Sequence, residues 1–310
     1  MKLLVTGSSG YLGGEISGKA EELGHEVWRL SRSSQNGCNQ SKFICHDLTT
    51  PIDFDYDDFD CVIHAAGAND IASQDPKKAI LSTMLTTRNV ADFAMRQRTP
   101  KVLFISTFQV YGRTEGEIFE TSECTPLNDY AFTHLASEQW LMQVSRVSSL
   151  KWRALRLSNI AGVPQNNSMN RWSLVPSCFC HDAYYKRKIS VNSSGEQKRD
   201  FLPLGLSAEV CASAVEQDFG YNKNISNVAS GHSFSIKELA YWSAEIFQEM
   251  FNEECELSFG SEPAKPAADL IIARSSKFVF GKLNFNKEEI TELLKDCIRE
   301  TYDYLRARDG

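Results

Sequence analysis

The run Thr6-Gly7-Ser8-Ser9-Gly10-Tyr11-Leu12-Gly13 sets three glycines at three-residue spacing between an apolar stretch ending in Val5 and a helical one. That pattern suits the close approach of a pyrophosphate. Gly7 makes a tight turn, Gly10 lets the backbone near the phosphate oxygens, Gly13 lets a helix lie against a strand, and the helix N-terminus faces the anion. Ser9, Tyr11 and Leu12 share the turn and are expected to contact the same dinucleotide. Where the adenosine ribose of NAD would meet an Asp or Glu at the end of the second strand, this chain has Leu30-Ser31-Arg32. With no carboxylate and a guanidinium fork that matches phosphate oxygens, the expected cofactor is NADP, its 2′-phosphate held by Ser31 and Arg32. Asp47-Leu48 is placed to contact the adenine, and Ala65-Ala66-Gly67 is small enough for the cofactor to lie close.

The elements that must hold these residues alternate. Residues 2–5, 26–30, 61–64, 102–106 and 154–157 read as strands; 13–23, 80–95 and 130–147 read as helices. Strand and helix in alternation with right-handed crossovers imply an α/β fold, a doubly wound parallel sheet of the Rossmann type, with ligands at the carboxyl ends of the strands. From Gln165 to Lys198 the pattern loosens, and helices follow at 235–250 and 287–306. The expected division is a dinucleotide-binding domain over 1–165 with a return segment near 200–230, and a smaller C-terminal substrate-binding lobe over 166–199 and 231–310.

Composition excludes several classes. The 310 residues are 42% hydrophobic and 24% charged, and 33 basic against 40 acidic side chains leave a net charge of -7, a poor surface for nucleic acid. No stretch approaches the roughly 18 to 20 apolar residues of a membrane helix, and the N-terminus begins as a strand, so a cytoplasmic protein without membrane partner is expected. Nine cysteines scattered from Cys38 to Cys297 fit a reducing compartment. The cluster Cys178-Phe179-Cys180-His181 lacks a second ligand pair, and no metal is expected.

Taken with Asp47-Leu48, His64-Ala65-Ala66-Gly67, Ser106-Thr107-Phe108-Gln109-Val110-Tyr111-Gly112, Tyr130, Asn159, Arg199-Asp200-Phe201 and Asn227-Val228-Ala229-Ser230-Gly231, the glycine turn resembles the extended short-chain dehydrogenase/reductases. The likeness is to their branch of nucleotide-sugar epimerases, dehydratases and reductases, and it spans most of the chain. It implies that Thr107 hydrogen-bonds the reacting oxygen and that Tyr130 exchanges its proton while hydride passes to or from the nicotinamide. The family places a Lys four residues after the Tyr, one helical turn on and on the same face; this chain has His134. Three readings stand: His134 fills the lysine's role at the catalytic pair and the cofactor as an imidazolium, it marks a slower or altered step, or catalysis is lost and cofactor binding kept.

Dehydratases of the family follow the Thr with an acidic pair, an acid for the leaving hydroxyl and a base for the C5 proton. Phe108-Gln109 can do neither. NADP further leans the expectation toward reduction of a 4-keto-sugar, with a tightly held cofactor in an epimerase as the alternative. The resemblance places Arg199 and Asn159 at the diphosphate of a nucleotide-sugar substrate. The family's second Arg has become Lys265 in Lys265-Pro266-Ala267-Ala268-Asp269. Arg171, Arg187 and Lys188 are possible helpers or solvated charges, and Trp172, Tyr184 and Tyr185 stacking or packing residues. A non-catalytic NADP sensor is the rival from another class. A homodimer through the helices 80–95 and 130–147 would use Leu85, Val90, Phe93, Leu135 and Leu141, unless these face the sheet.

Overall fold

Seven runs of buried aliphatic residues pair side by side in a computed structural model that describes residues 1–32, 42–54, 59–96, 101–165, 169, 171–219, 224–261, 270–272 and 284–310. The strands are β1 (Lys2–Thr6), β2 (Glu26–Ser31), β3 (Phe43–Cys45), β4 (Cys61–His64), β5 (Lys101–Thr107), β6 (Lys151–Leu157) and β7 (Ile225–Val228). All pairings are parallel, in the order β7-β6-β5-β4-β1-β2-β3. A parallel sheet is buried on both faces, which is why β1, β4 and β5 read as near-continuous apolar runs. Strand order reverses between β1 and β4, and the crevice at their carboxyl ends is where such sheets take ligands.

The helices α1 (Tyr11–Glu22), α2 (Thr86–Arg96) and α3 (Asp129–Val147) pack on this sheet. Val90, Phe93 and Ala94 of α2 and Leu141 and Val144 of α3 join Leu4, Val62 and Phe104 in one core. The helix expected over 80–95 starts earlier and is not uniform. Asp75 caps a turn at Pro76–Ala79, and Ile80–Leu85 winds as a π-helix before α2 begins. Thr86 and Thr87 donate their hydroxyls to the Thr83 carbonyl, at 3.1 and 2.7 Å, competing with backbone donors for that acceptor.

The chain forms two compact units. One comprises 1–112, 120–157 and 208–228; the other comprises 113–119, 158–207 and 229–310. In the second unit short strand pairs join 159–161 to 201–203, 198–199 to 234–235, and 188–191 to 256–259. Its helices Ile236–Phe251 and Lys287–Asp309 each start on a capping box, Ser235 with Glu238 and Asn286 with Glu289. Among the described residues no helix is long and apolar enough to cross a membrane, and no group of three or more His, Cys, Asp or Glu is placed to hold a metal ion.

Candidate active site

The glycine turn is tight because its neighbours leave no room. Gly7 has a φ of +70°, and a Cβ there would lie 2.7 Å from the Ala66 nitrogen; one at Gly13 would lie 2.2 Å from the Gly7 oxygen. Gly10 is the N-cap of α1 and supplies no side-chain cap to its first turn, the end of a helix that suits an anion. A pocket opens here at the strand ends. Gly7, Ser9 and Gly10 line it from β1, Ser31 and Arg32 from β2, Asp47 and Leu48 from β3, and Ala65, Ala66 and Gly67 from β4. Tyr11, Leu12 and Gly13 are absent from the lining: Tyr11 is buried and Gly13 lies beneath the turn. The glycine cradle and the N-terminus of α1 fit a dinucleotide pyrophosphate.

The same pocket contains residues that sequence reasoning missed: Leu30, His46, Thr49, Ser82 and Thr86. His46 and Thr49 flank Asp47-Leu48, and Ser82 and Thr86 share a helical face at four-residue spacing, a signal available in the sequence. Asp47 Oδ1 accepts from the Thr49 nitrogen at 3.0 Å and its hydroxyl at 2.9 Å. The Thr49 backbone N–H, with Arg32 and His46 adding positive charge, holds the Asp47 carboxyl below its usual range. The His46 nitrogen donates to the Ser31 oxygen at 3.0 Å and Cys45 Sγ to the Arg32 oxygen at 3.4 Å, so the β3 loop fixes the end of β2.

Beneath the β4 loop runs a hydrogen-bond chain whose direction is fully assigned. Thr6 and His64 are register partners, and the Thr6 hydroxyl donates to His64 Nδ1 at 2.7 Å while accepting from the Ala66 nitrogen at 3.3 Å. Thr87 has committed its proton to the Thr83 carbonyl, so His64 Nε2–H donates to Thr87 Oγ1 at 3.1 Å. The Ala68 nitrogen then donates to Thr83 Oγ1 at 3.1 Å. This arrangement requires a neutral His64, and burial pushes its pKa down to about 3, with His134 nearby adding to the effect.

Thr107 ends β5, and its Oγ1 accepts from the Gln109 nitrogen at 3.2 Å, leaving the hydroxyl proton to donate elsewhere. Gln109 Oε1 accepts from Asn128 Nδ2 at 3.2 Å, and Asn128 Oδ1 caps α3 through the Ala131 nitrogen. The segments bearing Thr107 and Tyr130 are thereby tied together. His134 is 6% exposed, its ring 4.4 Å from that of Tyr130 and 5.8 Å from that of Phe104. Its Nδ1–H donates to the Tyr130 carbonyl at 2.7 Å, and burial pushes its pKa down to about 4. Burial thus disfavours the charged form, and among the described residues no carboxylate pairs with the ring, which weighs against the reading of His134 as an imidazolium.

Four residues further along the same face, Glu138 forms a buried pair with Arg156: Arg156 Nη2 to Glu138 Oε2 is 2.6 Å. Ser106 donates to Glu138 Oε1 at 2.6 Å, the Arg156 guanidinium lies 4.7 Å over the Tyr111 ring, and the Tyr111 hydroxyl donates to Asn227 at 2.7 Å. The pair binds α3 to β5 and β6. A carboxylate at i+4 from His134 on a largely apolar face was its sequence signal.

Asn159 and Arg199 both lie in the second unit. The Asn159 amide donates to the Asp200 carbonyl at 2.8 Å. Arg199 is half-buried; Nη1 donates to the Lys198 carbonyl at 2.8 Å, and among the described residues no carboxylate pairs with it. Arg187 and Lys188 are engaged by Glu253 and Glu256. Trp172 packs against His181 and Tyr304, Tyr184 against Phe251, and Arg308 covers Trp172 and Tyr185, so these aromatics anchor the C-terminal helix. Lys265 to Asp269 lie outside the described residues.

A family model described as the NAD dependent epimerase/dehydratase family matches residues 3–229. The UDP-glucose 4-epimerase of Corynebacterium glutamicum is 23% identical over 264 residues, 79% of this chain and 80% of that protein. The UDP-N-acetylglucosamine 4-epimerase of Methanobrevibacter ruminantium, solved with UDP-N-acetylmuramic acid, superposes with a TM-score of 0.79 at 20% identity, over 99% of this chain and 98% of that one. The Thermus thermophilus UDP-glucose 4-epimerase, solved with NAD, gives 0.74 at 21% identity, over 99% of each chain. These superpositions show the fold to be that of the nucleotide-sugar epimerases.

Proposed function

The chain belongs to the NAD dependent epimerase/dehydratase family, and we propose that it uses NADPH to reduce the 4-keto group of a nucleotide-activated sugar. The observation carrying the cofactor choice is the pocket wall at the end of β2, which offers Ser31 and Arg32 and no carboxylate. Support for reduction over dehydration comes from Phe108 and Gln109, which fill the places of an acid and a base; Gln109 is bonded to Asn128.

Bound at the glycine turn, the dinucleotide supplies the hydride. The protein's part is to hold and protonate. The Thr107 hydroxyl, its acceptor side taken by Gln109, donates to the reacting oxygen, and the Tyr130 phenol delivers the proton. His134, through Nδ1–H, fixes the first turn of α3 and contributes packing against the Tyr130 ring without charge. Arg199 and Asn159 are the proposed contacts of the sugar nucleotide's diphosphate. A half-buried guanidinium without a carboxylate partner suits that anion.

A 4-epimerase with a retained cofactor is the second reading, favoured by the named activities of the relatives. Incubating the protein with NADPH and a panel of nucleotide 4-keto-sugars, and following absorbance of the reduced nicotinamide, separates the readings. Stoichiometric NADPH oxidation lost in Tyr130→Phe is the expected result. Interconversion of UDP-hexoses without net oxidation would establish the epimerase instead, and tight NADPH binding with turnover of neither would establish a sensor.

A further inference from the structure

Asp200 is fully buried between the short strands 198–199 and 201–203, and among the described residues it forms no ion pair with its chain neighbour Arg199, whose guanidinium is half-buried. The carboxylate is satisfied by uncharged donors instead. Its Oδ1 accepts from the Ser230 nitrogen at 3.0 Å, and its Oδ2 from the Ser230 hydroxyl at 2.9 Å and the Gly231 nitrogen at 2.8 Å. The Asp200 carbonyl takes both the backbone and the side-chain N–H of Asn159, at 3.2 and 2.8 Å. One residue therefore holds three segments: the strand 159–161, the strand carrying Arg199, and the turn at 230–231 that leads into the pairing of Arg199 with Phe234.

We infer that Asp200 is the positioning residue of the diphosphate site, fixing the backbone from which Arg199 and Asn159 reach the anion while leaving the guanidinium unquenched. An ion pair at this place would compete with the ligand for Arg199; three neutral N–H and O–H contacts do not. Burial pushes the Asp200 carboxyl up to about 6 while its N–H and O–H donors hold it down, as expected of a buried carboxylate sustained by uncharged donors. The inference rests on the reading of Arg199 as the diphosphate contact.

Titration of the full-length protein with UDP, in parallel with NADPH, tests it on wild type, Arg199→Ala, Asp200→Asn, Ser230→Ala and the Arg199→Ala/Asp200→Asn double variant. Asp200→Asn turns an amide N–H toward existing donors and should weaken UDP by about tenfold or more; Ser230→Ala, which keeps the carboxylate and one N–H on each oxygen, should weaken it less. NADPH affinity should be unchanged in both. The double variant should lose less than the sum of the two single losses, because Asp200 acts in part through Arg199. If Arg199→Ala weakens UDP while folded Asp200→Asn or, should that variant fail to fold, Ser230→Ala does not, the inference falls and the reading of Arg199 stands. Equal losses for UDP and NADPH, or additive losses in the double variant, also overturn it. If neither Arg199→Ala nor Asp200→Asn affects UDP, the reading of Arg199 falls as well.

Discussion

Arg32 and His134 carry the two residue-level choices of this chain. Arg32 lies on the pocket wall and adds positive charge beside Asp47, which is why it is the proposed anchor for a 2′-phosphate. Arg32→Ala should weaken NADPH by roughly ten- to a hundredfold, the size of a charge-assisted contact, and leave NADH within a factor of about two. Fluorescence titration of both reduced cofactors measures it, and equal losses would remove NADP from the proposal. For His134 the ring is spent on a backbone carbonyl, and burial lowers its pKa to about 4. A lysine there returns a cation beside Tyr130, so His134→Lys should keep or raise turnover and shift the pH–rate profile of kcat/KM to lower pH. An unshifted profile would mean that the phenol is set by other groups.

At the level of elements, α3 and β4 are joined by buried neutral histidines. The rings of His64, Phe104 and His134 follow one another at 5.6 and 5.8 Å. Both histidines have folded pKa values below the unfolded value of about 6.5. Their contribution to stability is therefore fully present above pH 6.5 and declines as pH falls toward 4 for His134 and 3 for His64. Each proton taken up on unfolding costs roughly 1.4 kcal/mol per pH unit. Urea midpoints between pH 7 and 4.5 should fall accordingly, and His134→Gln should reduce the slope by about one proton. Because the same chain of hydrogen bonds holds Ala66 of the pocket wall and the nearby Ala68, cofactor affinity should weaken over the same range.

For the whole molecule, association is the open quantity. Val90, Phe93 and Leu141, read as possible dimer contacts, lie in the core, whereas Met95, Phe132 and Val147 of the same helices are exposed, Val147 at 84%. The expected homodimer through these helices would have to use such exposed side chains and not the buried ones. Light scattering should give about twice the mass of one chain, and Phe132→Glu with Val147→Lys should return it to the monomer with NADPH binding intact; a monomeric wild type would end the proposal.

What could be read from residue order alone is local or periodic. The glycine turn at 7–13, the alternation of strand and helix, the replacement of an acidic pair by Phe108-Gln109, and the histidine one turn after Tyr130 depend on neighbours a few positions apart. The glycines in particular are set by sterics so severe that few other residues would fit. What the tertiary structure decided is what depends on burial and on partners distant in sequence. Burial against Phe104 and the rest of the core lowers the His134 pKa, and Glu138 acquired Arg156 only through the pairing of β5 with β6. Arg199 kept its charge open because Asp200, its nearest carboxylate in the chain, turned inward to Ser230 and Gly231, thirty residues away, and that choice of partner was invisible until the strands were assembled.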